Sequence, residues 1–171
     1  INEATLSATD GQKYILSMMV KFTADGTSTS IIDNTSSRFY INRSVGNLIR
    51  VMIRDASGNN IYDATTTGAI LAADGFVHLL IGIDLTDSTQ SDRVRILKDG
   101  VLQGVTIGTA ATQTNVDISR AAFTIGADSG ASAGYTGMRL AHFFLSQEAM
   151  DFSVAGNIAK FYNAAGQVDF G

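Results

Sequence analysis

The chain contains no cysteine, no proline and no tryptophan, and each absence removes a class of protein. Without cysteine there is no disulfide scaffold, no thiol nucleophile and no thiolate metal centre; without proline there is no collagen-like repeat and no polyproline ligand. Stability therefore has to come from apolar packing, and a chain of this size buries about 70% of its unfolded surface on folding. Charge is sparse too, at 16% of the 171 residues with a net of −4. The 12 basic residues are scattered, so the electrostatic footprint of a nucleic-acid binder is missing. No apolar run nears the ~20 residues of a membrane-spanning helix, which predicts no membrane insertion. The opening INEATLSATD lacks the basic and apolar regions of a signal peptide. A start at Ile1 points to an excised domain or a processed product, and the length fits one domain over 1–171.

Glutamate is nearly absent: 14 of the 16 acids are aspartate, leaving only Glu3 and Glu148. Helix-rich chains lean on Glu and Lys. Here Gly, Ser, Thr, Asn and Asp break up short apolar stretches, the texture of an all-β protein. In FVHLLIGIDL, residues Val77, Leu79, Ile81, Ile83 and Leu85 share one face, and Phe76, His78, Leu80, Gly82 and Asp84 the other. This predicts a central strand over 76–85. LIRVMIR places Ile49, Val51 and Ile53 opposite Arg50 and Arg54, a one-sided antiparallel strand. Further strands are expected at 13–22, 39–41, 93–97, 101–107, 122–126 and 140–145. Asp99-Gly100 between Leu97 and Val101 suits a tight primed hairpin turn. One helix is predicted, over 154–163, from the spacing of Val154, Ile158, Phe161 and Tyr162, with Ser153 as N-cap and Gly166 ending it. Many short strands with one late helix favour an antiparallel two-sheet β-sandwich over a doubly wound sheet.

In order, KYILSMMVKF (13–22), LIRVMIRD (48–55), DGFVHLLIGID (74–84), RVRILKDGVLQG (93–104), FTIGAD (123–128) and YTGMRLAHFFLS (135–146) resemble the concanavalin A-like, laminin G-type jelly roll. Phe76 stands where that family has tryptophan. The run GMRLAHFFLSQEAMDFSVAGNIAKFYNAAGQVDFG is similar to the end of laminin G-like domains in structural proteins of tailed bacteriophages. Gly137, Leu140, Ala141, Asp151, Phe152, Ser153, Lys160, Phe161, Gly166, Val168 and Gly171 fall on that pattern, with Gln167-Val168 replacing its proline step. The resemblance implies an all-β jelly roll with one short C-terminal helix. It also implies a virion-surface module (fibre, spike or capsid-surface component) made in bacterial cytoplasm, with other virion proteins or a host surface glycan as partner, a candidate homo-oligomer, and no chemistry of its own; the alternative is a purely structural capsid-decoration or virion-assembly domain.

The residues agree with a non-enzymatic reading. Gly130-Ala131-Ser132-Ala133-Gly134 matches the G-x-S-x-G nucleophile elbow, but an elbow needs a following helix and then acid and His in order. His142 comes next with no acid between, and the segment reads as a strand. Jelly-roll glucanases pair carboxylates about 5 Å apart on one strand, and neither Glu3 nor Glu148 has such a partner. Asp84 and Asp87, among Thr86, Ser88 and Thr89, read as a solvated turn. His78 and His142 share strand faces with apolar neighbours and are expected as buried or half-buried core groups rather than metal ligands. No cofactor is called for. Calcium is the one metal worth naming, because members of the resembled family hold it with loop aspartates, and Asp84 and Asp128 are its candidates here. For a sugar, an aromatic ring beside polar groups is needed. The candidates are Tyr62 with Asn59 and Asn60 in the preceding turn, and Tyr135, which also occupies the family's core aromatic position.

Overall fold

The computed structural model describes residues 2–3, 10–34, 37–110, 115–118, 123–126, 137–163 and 165–168. In chain order the strands are β1 (Asn2–Glu3), β2 (Lys13–Phe22), β3 (Thr29–Asn34), β4 (Phe39–Arg43), β5 (Leu48–Arg54), β6 (Asn60–Ala69), β7 (Val77–Asp84), β8 (Val94–Lys98), β9 (Val101–Leu102), β10 (Val105–Ala110), β11 (Phe123–Ile125) and β12 (Met138–Ser146). A one-turn helix α1 (Ala155–Ile158) and a small hairpin of β13 (Tyr162–Asn163) and β14 (Gly166–Gln167) follow. Two antiparallel sheets form the sandwich, one of seven strands in the order β1-β11-β3-β4-β5-β6-β10 and one of five in the order β12-β2-β7-β8-β9. The architecture is the expected all-β, two-sheet jelly roll.

Strand alternation builds the core. Val77, Leu79, Ile81 and Ile83 of β7 face inward, as do Leu16, Met18 and Val20 of β2, and they meet Ile41, Val51 and Ile53 of the larger sheet. The opposite face of the five-stranded sheet is covered as well. There Ile15, Leu80 and Leu97 pack under Phe152 and Phe161, with Phe144, Met150 and Ile158 around them. A sheet buried on both faces explains why β7 is almost continuously apolar. The two phenylalanine rings each gain roughly 2–3 kcal/mol from that burial. Gly82 is part of the same fit, because the space its side chain would fill holds the Phe152 ring.

The Asp99-Gly100 turn forms as expected, with both residues at positive φ (50° and 75°), the geometry of a type I′ hairpin. Several expectations are corrected. The stretch expected as one strand over 101–107 crosses between sheets, β9 closing the smaller sheet and β10 the larger. The helix is a single turn whose N-cap is Val154, not Ser153. Ser153 instead donates its own N–H and hydroxyl to Asp151 (2.8 and 2.6 Å), and Gly166 lies in β14. Phe76 is not a core ring but 46% exposed. His142 is exposed because β12 carries a bulge between Ala141 and Phe144 with His142 at φ 51°. The extra residue resets the alternation, so Leu140 and then Phe143 face the main core.

Candidate functional site

Where β7 ends at Asp84, the chain loops through a 3-10 turn (Gln90–Asp92) before β8. Arg95 of β8 sits opposite Gly82 of β7 in register, hence on the outer face of the smaller sheet. The segment 149–153, leaving β12 towards α1, passes over the same place. Between them is a cavity of about 440 Å³ lined by Gly82, Asp84, Asp87, Asp92, Arg95, Met150, Asp151, Phe152 and Ser153 among others.

Its four carboxylates are fixed by partners of their own. Asp84 accepts from the Thr86 amide (3.0 Å) and hydroxyl (2.5 Å) and pairs with the Lys13 ammonium at 3.1 Å. Burial opposes ionisation of Asp84, but the Thr86 and Lys13 contacts outweigh it and hold its pKa below the usual carboxylate value. Asp87 accepts from the Thr89 amide at 2.8 Å, and Asp92 pairs with Arg95 at 3.1 Å. Asp151 is also held below the ordinary range, by hydrogen bonds from the Ser153 hydroxyl and amide. In these contacts Asp87, Asp92 and Asp151 each engage one carboxylate oxygen, leaving the other as an acceptor for a ligand. Their orientations are set before any ligand arrives.

The residues expected from sequence fall out unevenly. Asp84 lines the cavity, and so does Asp87. Tyr62 is corrected as a sugar platform: its ring is fully buried because β6 turns it into the core, where burial pushes its phenol pKa up to about 12. Its hydroxyl donates to the Gln90 carbonyl at 2.8 Å, which anchors the turn carrying Asp92. Asn59 and Asn60 do not line the cavity. Asn59 bonds to the Asp55 carboxylate through its amide N–H and side chain, both at 2.9 Å, and Asn60 accepts from Arg54 Nε at 2.9 Å. Tyr135, Asp128 and the Gly130–Gly134 motif lie outside the described residues. Arg95, Met150 and Asp151 escaped the sequence reading as site residues. Asp151-Phe152-Ser153 stood out as a motif, but nothing local shows that it folds back over β7.

Both oxygens of Asp84, the calcium candidate among the described residues, are engaged, Oδ1 by Thr86 and Oδ2 by Lys13. Among the described residues no group of three or more carboxylates or imidazoles is arranged to hold a metal ion. The other polar surface is the outer face of the seven-stranded sheet, where Arg50 reaches Asp63 through Nε (2.8 Å) and Nη2 (2.5 Å). Tyr40 and Asn42 stand beside that pair. The pair neutralises itself on the sheet face.

Two facing antiparallel sheets in these strand orders define a jelly-roll β-sandwich. The chain belongs to the concanavalin A-like lectin/glucanases superfamily, whose laminin G-type model matches residues 2–150. No curated protein matches by sequence. Solved structures do match by fold. NanB sialidase from Streptococcus pneumoniae superimposes with a TM-score of 0.60 at 18% identity, over 82% of this chain and 23% of the sialidase. The Ruminococcus gnavus sialidase CBM40 module, bound to α2,3-sialyllactose, gives 0.59 at 10% identity, over 86% of this chain and 82% of that one. The heptameric SAP-like pentraxin of Limulus polyphemus gives 0.59 at 13%, over 92% and 72%.

Proposed function

We propose that this jelly roll is a non-enzymatic recognition module that takes a neutral, hydroxyl-rich sugar in the cavity between β7, β8 and the 149–153 segment. The observation that carries the reading is the cavity itself: about 440 Å³, in the range of small-ligand sites, with carboxylate acceptors held in place before binding. Sugar hydroxyls are donors that match such acceptors, and the apolar edges of Met150 and Phe152 suit the C–H face of a pyranose. Four carboxylates against Arg95 make the wall net negative, which disfavours an anionic sugar. The CBM40 module that shares this fold is bound to sialyllactose, an anionic sugar of the kind this wall disfavours. A glycosidase acid needs a raised pKa, whereas Asp84 and Asp151 are both held low. The resemblance of the C-terminal run to phage structural proteins supports placing the module on a virion surface, where host glycans are its partners.

A glycan array followed by calorimetry tests this. Binding of neutral glycans, with no release of reducing sugar on prolonged incubation, is the expected result. Preference for sialylated glycans, or turnover of a polysaccharide, overturns it.

A further inference from the structure

We infer that residues 151–163 form a latch over the smaller sheet, which lifts off as a unit when His78 beneath it takes up a proton and so takes away one wall of the cavity. The bonds that shape this segment are its own. Asn157 donates to the Val154 carbonyl through its amide (2.9 Å) and to the Asp151 carbonyl through its side chain (2.9 Å). Ala159 donates to Ala155 and Phe161 to Ile158, both at 2.9 Å, and Ser153 caps Asp151. Lifting the segment breaks none of these bonds, which is the condition for a unit that opens without the rest of the fold.

Three rings hold the latch to the sheet. Phe152 lies on Gly82, and Phe161 packs with Ile15, Leu80 and Leu97. Tyr162 stacks on His78, with centroids 5.4 Å and planes 11° apart. The same ring sits so near the Asp99-Gly100 turn that a β-carbon on Gly100 would fall 2.9 Å from Tyr162 Cδ1. Among the described residues no ion pair ties the segment down. Its docking therefore depends on a few ring contacts, and of the groups beneath those rings only His78 can change charge near neutral pH.

The seat under Tyr162 suits a neutral imidazole and not a charged one. The His78 ring is completely buried, Nε2 lies 2.8 Å from Ser17 Oγ, and Nδ1 has no hydrogen-bond partner. An imidazolium carries two N–H donors, and here only one of them has an acceptor. Water reaches the other when the latch lifts. Of the charged groups around the ring, Asp99 of the β8–β9 turn favours the proton while its carboxylate accepts the His78 amide at 2.8 Å. Lys21 of β2, next along the same sheet face with Arg139 of β12 opposite it, disfavours the proton, and Lys98 is engaged by Asp74 at 2.7 Å. From the latch Tyr162 contributes a phenol ring. Burial outweighs Asp99 and holds the docked pKa at about 4, against 6.5 for an ordinary imidazole. Between those values the lifted form binds a proton that the docked form does not, so acid favours lifting, by roughly a hundredfold in population near pH 4.

Native-state hydrogen exchange on the 171-residue chain tests the inference, from about pH 7 to about pH 4, at low urea concentrations and corrected for the intrinsic pH dependence of exchange. It needs no ligand, so it is read independently of whether the cavity takes a sugar. Amides of 151–163 should exchange through openings more frequent and less urea-dependent than those of β7 at every pH. The frequency of these openings should rise roughly a hundredfold across the range. His78→Gln should abolish that rise, and Tyr162→Ala should raise the opening frequency already at neutral pH. If His78→Gln does not fold, the wild-type comparison of the latch with β7 and the Tyr162→Ala variant still decide. Latch amides that open only together with β7, a latch indifferent to pH, a Tyr162→Ala latch no more open at neutral pH, or an undiminished acid response in His78→Gln overturns the inference.

Discussion

The ring of Phe152 occupies the space that a side chain at Gly82 would need: a β-carbon on Gly82 would fall 1.6 Å from Phe152 Cε2. That single approach ties the centre of the smaller sheet to the segment that roofs the cavity. Gly82→Ala must therefore push Phe152 off the sheet, at a cost of roughly 2–3 kcal/mol. Phe152→Ala alone leaves a hollow and costs about 3 kcal/mol. Combined, the two changes should cost well under their sum, because the alanine at 82 partly refills the vacated space. Urea denaturation of the two single variants and the double variant reads the coupling, and strict additivity would contradict the packing described.

Acid should weaken the fold through His78. Its Nε2 lies 2.8 Å from Ser17 Oγ, its ring stacks on Tyr162 with centroids 5.4 Å apart, and Nδ1 is buried without a hydrogen-bond partner. Burial pushes its pKa down from 6.5 to about 4, against the pull of Asp99. Between those values the unfolded chain binds a proton that the folded chain does not, so stability is full above about pH 6.5 and falls as pH drops towards 4. The loss across that window is roughly 3 kcal/mol. Unfolding free energies measured from pH 7.5 to 4 should show this slope, and His78→Gln should flatten it. An unchanged slope in the variant would remove His78 as its source.

Where a strand alternates cleanly, the sequence is sufficient to place it. Lys13–Phe22 of β2 and Val77–Asp84 of β7 carry period-2 apolar patterns, and both form near the expected bounds. Thr29–Asn34 and Asn60–Ala69 went unread, because TSIIDN and NIYDATTTGA are rich in Asn, Asp, Thr and Gly, which ordinarily mark turns. Missing β6 is what made Tyr62 look like an exposed ring after a turn. The cavity was only half legible for a different reason. Asp84 and Asp87 are visible as a local pair, but Asp151 reaches them only because Phe152 folds onto Gly82, a contact between residues far apart in sequence. The His142 bulge likewise leaves no local pattern that distinguishes it from continuous alternation.

Arg43 should matter more than any exposed ion pair. Its side chain is completely buried, while that of its partner Asp25 is 44% exposed. The guanidinium donates to the Ile70 carbonyl at 3.0 Å and to the Ala24 carbonyl, and lies 4.2 Å from the Phe22 ring centroid. It holds the β2–β3 loop to the end of β6 from inside the sandwich. A lysine ammonium cannot reach all these acceptors and stack as well. Arg43→Lys should cost about 2–3 kcal/mol, because a buried charge loses its partners. Asp25→Asn should cost under ~1 kcal/mol. Thermal and urea unfolding of the two variants give the ratio, and equal losses would show that Arg43 acts mainly through Asp25.

The two polar surfaces make opposite demands on a sugar-binding variant, and that separates them. In the cavity, Asp151 keeps its orientation through Ser153, and its second oxygen is an acceptor open to a ligand. Asp151→Asn preserves the shape and exchanges part of that acceptor capacity for a donor. A lost charge-assisted hydrogen bond is worth roughly 1.5–3 kcal/mol, so affinity for a neutral glycan should fall at least about tenfold. Arg95→Gln should release Asp92 and weaken binding as well, by loss of position rather than of a contact. Tyr40→Ala, on the outer face of the seven-stranded sheet, should leave affinity unchanged. Calorimetry with the best glycan from the array measures all three. If Tyr40→Ala abolished binding while Asp151→Asn did not, the ligand would belong on the sheet face, and the cavity would be a structural hollow beneath the 149–153 segment.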